Sequence, residues 1–174
     1  AAYSAYRERS LGLGAMGFHA YLQQNNIPFE GIFASGFNHK VFQHIKVRAT
    51  EASSRLAEER GEAPDIGGSG MRNAHLLAVA PNASSSIICG GTSPSIEPYR
   101  ANVYTHKTLS GSYQVRNKYL EKLLKSKGIK GKELESLWKD IAGHDGSVQH
   151  LDILTTLEKD VFKTANEINQ IWIV

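Results

Sequence analysis

Apolar residues return at intervals of three and four over much of this chain, and the faces they mark predict most of its elements. Leu11, Ala15, Phe18 and Leu22 share one such face and predict a helix over about 2–25. Phe37, Val41, Ile45, Ala49, Ala52 and Leu56 predict a long helix over 36–60, with Glu58 and Glu59 near its end and Gly61 placed to stop it. The pattern then changes. Leu76, Leu77, Ala78, Val79 and Ala80 run without a polar break, which predicts a short strand over 75–80 buried on both faces, and Pro81 ends it. Asn82 is placed to cap a short helix over 83–89 with its side-chain oxygen. Gly90, Gly91, Pro94 and Pro98 enforce an irregular loop, after which 102–108 alternates as a second strand. Helical spacing resumes over 115–127, ended by Gly128, and over 131–142, where Leu134, Leu137, Trp138 and Ile141 make the apolar face. Thr155-x-x-Glu158 spells a capping box that opens a last helix over 156–173, with Val161, Ala165, Ile168 and Trp172 as its seam. The expected fold is mainly α with a few short strands, arranged as a single partial domain over 1–174.

Composition narrows this only modestly. A chain of 174 residues is one domain or one large piece of one, and 41% hydrophobic with 21% charged residues is ordinary globular composition. The formal charge of +3 comes from interspersed signs, which argues against nucleic acid. In the one basic stretch, Lys118, Lys122 and Lys125 stand opposite Tyr119, Leu120, Leu123 and Leu124, the pattern of a solvated helix face. Cys89 is the only cysteine, so no internal disulfide can form. It reads as a small buried residue. With no apolar span of membrane length and no signal peptide, the expected location is cytoplasmic, without a membrane. The chain lacks an initiator methionine and runs out on Ile171, Trp172, Ile173 and Val174, so both ends are expected to be cut.

Four stretches carry candidate chemistry. Gly12-Leu13-Gly14-Ala15-Met16-Gly17 has the G-x-G-x-x-G spelling of a dinucleotide turn, with Glu30 near where a ribose-binding acid is sought. That turn needs a buried strand before its first glycine, and Tyr6-Arg7-Glu8-Arg9-Ser10 cannot be one. The glycines read instead as places where a helix approaches its neighbour closely. Residues 62–70 are glycine-rich but lack the GKS or GKT ending of a P-loop. His144 and His150 lie in a polar turn without the spacing of a zinc motif, and no metal site is read from them. The turn after Pro81 leaves two readings open. Asn82, Ala83, Ser84 and Ser85, followed by Ser86, combine unpaired helix N–H groups with hydroxyls, which suits a phosphate. The same residues also make an ordinary capped turn.

Assembled in order, several of these stretches resemble one family. Tyr6-Arg7-Glu8-Arg9-Ser10-Leu11-Gly12-Leu13-Gly14, then Arg72-Asn73 with the apolar strand and Pro81-Asn82-Ala83-Ser84-Ser85-Ser86, then Ser95-Ile96-Glu97-Pro98, and finally Lys159 to Ala165 are similar to segments of the large, catalytic subunit of class I ribonucleotide reductase. The resemblance runs from end to end and corresponds to the middle and later part of that subunit's barrel. It implies that the chain is a fragment of a ten-stranded α/β barrel. It also implies that the phosphates of a ribonucleoside diphosphate bind at Asn82, Ala83, Ser84 and Ser85, with Ser86, Glu97 and Pro98 in the neighbouring loop. Many members carry Thr or Ser in place of Asn82.

The family's reaction needs a thiyl-forming cysteine and two further cysteines. Cys89 matches none of them, so the resemblance assigns no catalytic residue and no cofactor to this chain. The radical would come from a metal-containing small subunit. The implied partners are that subunit, the remaining portion of the large subunit and the nucleotide, with a homo-oligomer as a further option. The chain by itself is then expected to be inactive. The competing expectation is a non-catalytic, self-associating structural module with weak or no nucleotide binding.

Overall fold

The computed structural model describes residues 1–173; Val174, last of the apolar residues at the end of the sequence, lies outside them. The element order is α1 (Ala2–Glu8), α2 (Phe18–Gln24), α3 (Ile32–Arg60), α4 (Ala83–Ile88), β1 (Val103–Thr108), β2 (Gly111–Arg116), α5 (Lys118–Ser126), α6 (Gly131–Gly143) and α7 (Thr156–Val161). Short 3₁₀ turns at Pro64–Ile66 and Gln170–Trp172 complete it. The described chain is mainly helical with few strands, as its apolar spacing indicates.

The single helix expected over 2–25 is two helices with an extended crossing between them. Arg9 turns into the left-handed region (φ 49°) and ends α1. The chain then straightens, and Leu13 forms a parallel bridge with Leu77. Leu11 N–H donates to His75 O at 2.9 Å, Leu13 N–H to Leu76 O at 3.0 Å, and Ala78 N–H to Leu13 O at 3.2 Å. The glycines do permit a close approach, but of extended backbone. A Cβ on Gly14 would lie 2.4 Å from the Ala78 carbonyl oxygen, and one on Gly17 would lie 2.6 Å from Thr92 Oγ1. Three glycines in six residues also weaken helix at about 1 kcal/mol each.

The strand expected over 75–80 is therefore only that short parallel pairing, and burial on both faces is not found. Val79 is 68% exposed, because nothing among the described residues packs against the outer side of 78–80.

The second half is built around one apolar core. β1 and β2 form an antiparallel hairpin, with Val103 paired to Arg116 and Thr108 to Gly111. β2 takes Val115 and Arg116 out of the helix expected over 115–127, and Asn117 starts α5 instead by accepting from the Tyr119 and Leu120 N–H groups. Leu120 and Leu124 of α5, Trp138 and Ile141 of α6, Val148, Leu151 and Leu154 of the following turn, and Val161 and Phe162 close over one another.

The last helix is also shorter than expected. Thr155 and Glu158 form the capping box, but α7 stops at Val161. Thr164 then spends its N–H and hydroxyl on the Glu167 carboxylate (2.6 and 2.9 Å), and Ala165 N–H donates to Tyr99 O. These local bonds compete with helix. Val161 and Ile168 are both buried, yet in different clusters rather than along one seam.

The N-terminal segments dock on this core through buried polar groups. Asn117 Nδ2 donates to Gln23 Oε1 (2.8 Å) and Asn102 Oδ1 (2.9 Å), while Asn102 Nδ2 donates to the Gly146 and Phe162 carbonyls. Lys163 Nζ and Asn169 N–H both reach the Glu30 carboxylate, each at 2.6 Å.

Candidate phosphate-binding turn

The turn after Pro81 is carried on a well-tied base. Asn73 N–H donates to Ser53 Oγ (3.1 Å), Ser53 Oγ donates to Asn73 Oδ1 (2.8 Å), and Asn73 Nδ2 donates to Arg9 O (2.7 Å). The Arg72 guanidinium donates to the Arg60 and Gly61 carbonyls at the end of α3. The Arg-Asn pair thus ties α1, α3 and the segment leading to Pro81. From that base the chain rises along Leu13 to the exposed tip.

At the tip Asn82 adopts left-handed geometry (φ 53°), and its side chain does not cap α4 as expected. A residue in that conformation aims its side chain away from the first-turn N–H groups. Ser86 N–H is taken by Asn82 O at 2.9 Å, so the N–H groups of Ala83, Ser84 and Ser85 are the unpaired first-turn donors of α4. The side chains of Asn82, Ser84 and Ser85 make no hydrogen bond with the described residues; Ala83, Ser84 and Ser85 are exposed and Asn82 half-buried. Ser86 differs. It is buried, and its Oγ donates to Ala83 O at 2.8 Å, so it braces the turn from within.

The neighbouring loop anchors the far side. Thr92 N–H donates to Ser86 O (3.1 Å), and the loop reaches α2 through Gly17 N–H to Ser93 O (3.0 Å) and Ala20 N–H to Ser93 Oγ (3.1 Å). Pro98 is buried, whereas Glu97 is exposed and its carboxylate meets no partner among the described residues. Ser95 Oγ is buried without a hydrogen-bond partner.

Tyr99 N–H donates to His19 Nδ1 at 2.9 Å, which places the imidazole proton on Nε2. Burial drives the His19 pKa down from 6.5 to about 4, against the raising effect of a hydrogen bond that the ring donates to the Val161 carbonyl, so the ring is neutral at pH 7. Burial likewise raises the Tyr99 phenol well above its ordinary value. The bracing roles of His19 and Ser93 escape the apolar pattern. The only signal for them is a serine directly before Pro94, and a histidine set among Phe18, Ala20 and Leu22.

Cys89 does not sit in a core: it follows α4 and is exposed as a free thiol. Residues 62–70 are closed to nucleotide by their own acid, since the Glu62 carboxylate accepts from the Gly68 and Gly70 N–H groups. Among the described residues no helix is long and apolar enough to cross a membrane.

A family model described as ribonucleotide reductase, barrel domain, matches residues 1–66 and 63–174. The chain belongs to the ribonucleotide reductase barrel family. It is 49% identical over 174 residues to the ribonucleoside-diphosphate reductase large subunit of Invertebrate iridescent virus 3, a match covering all of this chain and 28% of that protein. With the corresponding large subunit of Invertebrate iridescent virus 6 it is 46% identical over 173 residues, covering 98% of this chain and 18% of that one. The alpha subunit of the class Id ribonucleotide reductase of Actinobacillus ureae superposes with a TM-score of 0.87 at 42% identity, covering 99% of this chain and 31% of that subunit. The chain thus corresponds to under a third of the reductase subunits it matches. Its helix-rich fold is a fragment of their barrel.

Proposed function

We propose that this segment serves ribonucleoside-diphosphate reduction, supplying the deoxyribonucleotides of DNA synthesis, by holding the substrate's phosphates on the turn Asn82, Ala83, Ser84 and Ser85. The carrying observation is the contrast within that turn. Its base is pinned by Asn73, Arg72 and Ser86, while the Asn82, Ser84 and Ser85 side chains and three backbone N–H groups at the tip are unspent. Fixed donors without internal partners bind an anion with little reordering. Asn82 stands where many relatives carry a hydroxyl, so the backbone donors and the two serines take the larger share. Glu97 and Pro98 shape the adjoining loop.

Reduction of the ribose lies beyond this span. Cys89 is one exposed thiol, and a dithiol couple delivering two electrons needs two. The remaining portion of the large subunit would supply the reactive cysteines, and a small subunit the radical. The chain alone binds but does not reduce.

Titration calorimetry of the full 174-residue chain with ADP and with pyrophosphate tests the site. Saturable binding that weakens at least tenfold in Ser84→Ala/Ser85→Ala, without loss of helical signal, supports it. Equal affinity in both proteins rejects it.

A specific observation also favours the second reading, a self-associating module. An apolar groove of about 400 Å³ runs between the extended crossing and α3, lined by Leu11, Leu13, Ala49, Leu56 and Leu76. Beside it, 78–80 keeps an open edge that another strand can pair. Sedimentation at rising concentration separates the two readings: a monomer throughout argues against self-association.

A further inference from the structure

We propose that Asp140, His144 and His150 form a binding site for a divalent transition-metal ion of the zinc type at the end of α6. Asp140 lies in the last turn of that helix, and His144, four residues on, is the residue that caps its end. His150 returns to the same end from the turn that follows. The three side chains bring their ligand atoms within 4.8 Å of one another. His150 Nε2 lies 3.0 Å from Asp140 Oδ2 and His144 Nδ1 3.4 Å from Asp140 Oδ1, with the two imidazole rings stacked at 3.7 Å between centroids.

The donor set selects the class of ion. Two imidazoles and one carboxylate suit Zn²⁺, Ni²⁺ or Cu²⁺, whereas Ca²⁺ and Mg²⁺ call for oxygen. His144 Nδ1 is 2.9 Å from the Asp140 backbone carbonyl. That nitrogen faces both the carbonyl and the carboxylate of Asp140, so an ion bound there exchanges the carbonyl contact for a metal bond while the carboxylate stays beside it. The carbonyl end of α6 adds partial negative charge where the cation would sit.

The turn that presents His150 is stiff. Gly146 O accepts from both the backbone N–H and the Nδ2 of Asn102, at 3.1 and 3.0 Å. Gly146 itself (φ 81°) leaves no room for a side chain, since a Cβ would stand 2.5 Å from that of Ala101. Val148 and Leu151, on either side of His150, are buried in the core. The ligands are therefore largely pre-placed, and the ion closes a clip between the end of α6 and the turn. Three protein ligands leave a coordination position for water.

Calorimetric titration of the chelator-treated chain with ZnCl₂ tests this, with Co²⁺ absorption as the second measurement. The expected result is saturable one-to-one Zn²⁺ binding that weakens at least a hundredfold in His144→Gln/His150→Gln and at least tenfold in Asp140→Asn. His39→Gln/His44→Gln on α3 should leave it unchanged. The Co²⁺ form of the unaltered chain should show visible bands of a low-symmetry, nitrogen-ligated ion. Absence of saturable binding, absence of those bands, or an affinity untouched by the His144/His150 double substitution overturns the site. None of these readings involves nucleotide, so the outcome is independent of the phosphate-binding turn.

Discussion

The chain from Val103 to Phe162 and the chain before it both place apolar residues at helical spacing, more sharply on α5 and α6 than on α3, and they satisfy it differently. In the later region Leu120, Leu124, Trp138, Ile141, Val148 and Val161 have no accessible surface left. In the earlier one the apolar stripe of α3, from Phe37 through Leu56, is only half-buried, and Ile32 and Phe33 are 77% and 78% exposed. Only Ala34, Ser53 and Ala57 are buried along that helix. Periodicity thus reveals that a helix has an apolar face, and says nothing about whether the partner of that face is in the same chain. The chain spans under a third of the subunits it matches, and a half-covered apolar face of this kind is suited to a partner outside the segment.

The largest expected effect tests this contrast directly. Trp138→Ala should cost about 3–5 kcal/mol in urea denaturation, from lost packing and from the lost contact with the Arg116 guanidinium that lies 5.5 Å from the ring centroid, since the indole Nε1 has no hydrogen-bond partner to lose. Phe33→Ala should stay within about 0.5 kcal/mol. A comparable loss in both would erase the distinction between the two regions.

Next comes the joint between them. His19 has its pKa lowered from 6.5 to about 4 by burial, so the folded state binds fewer protons than the unfolded one in that interval. Its contribution is complete above pH 6.5 and is lost as pH falls towards 4, about 3 kcal/mol in all. Urea midpoints measured from pH 7 to pH 4 should fall more steeply in the unaltered chain than in His19→Gln. Parallel slopes would show that His19 is not the acid-sensitive latch.

Smaller and more local is Gly14→Ala, whose Cβ would meet the Ala78 carbonyl at 2.4 Å. A cost of about 1–3 kcal/mol is expected. Hydrogen exchange should accelerate at the Leu13 and Ala78 amides while the Trp138 core keeps its protection. Uniform acceleration would mean that the two regions melt as one.

How much of this was legible in the sequence follows the same division. α5, α6 and the Thr155–Glu158 box are readable because their determinants are local: a capping side chain, an apolar face and a core within the same stretch. Residues 2–25 and 156–173 mislead because Leu11, Ala15, Phe18 and Leu22, and Val161, Ala165, Ile168 and Trp172, keep helical spacing while other groups decide the backbone. Three glycines facing Ala78 and Thr92 decide the first, and Thr164 bonded to Glu167 the second. β2 hides because its only buried partner is across a hairpin. At the candidate site the serines and Asn82 are legible by type, and the left-handed backbone at Asn82 is not. The Asp140, His144 and His150 cluster needs the turn after α6 to exist before it can be seen.

The clasp on Glu30 has a consequence for how such a chain is made. Glu30 and Lys163 are 133 residues apart, and Arg9 and Asn73 are 64 apart, whereas the Asn117 cap binds Tyr119 and Leu120, which follow it almost at once. Loop closure raises the cost by only about 0.6 kcal/mol per doubling of length, so these long ties weaken stability little, but they slow the search for the native state. On the ribosome α2 and α3 emerge long before Lys163 and Asn169 exist to meet Glu30. Until they do, the Glu30 carboxylate lacks both of these partners, so the joint between the earlier and later residues closes only after residue 169 has been made.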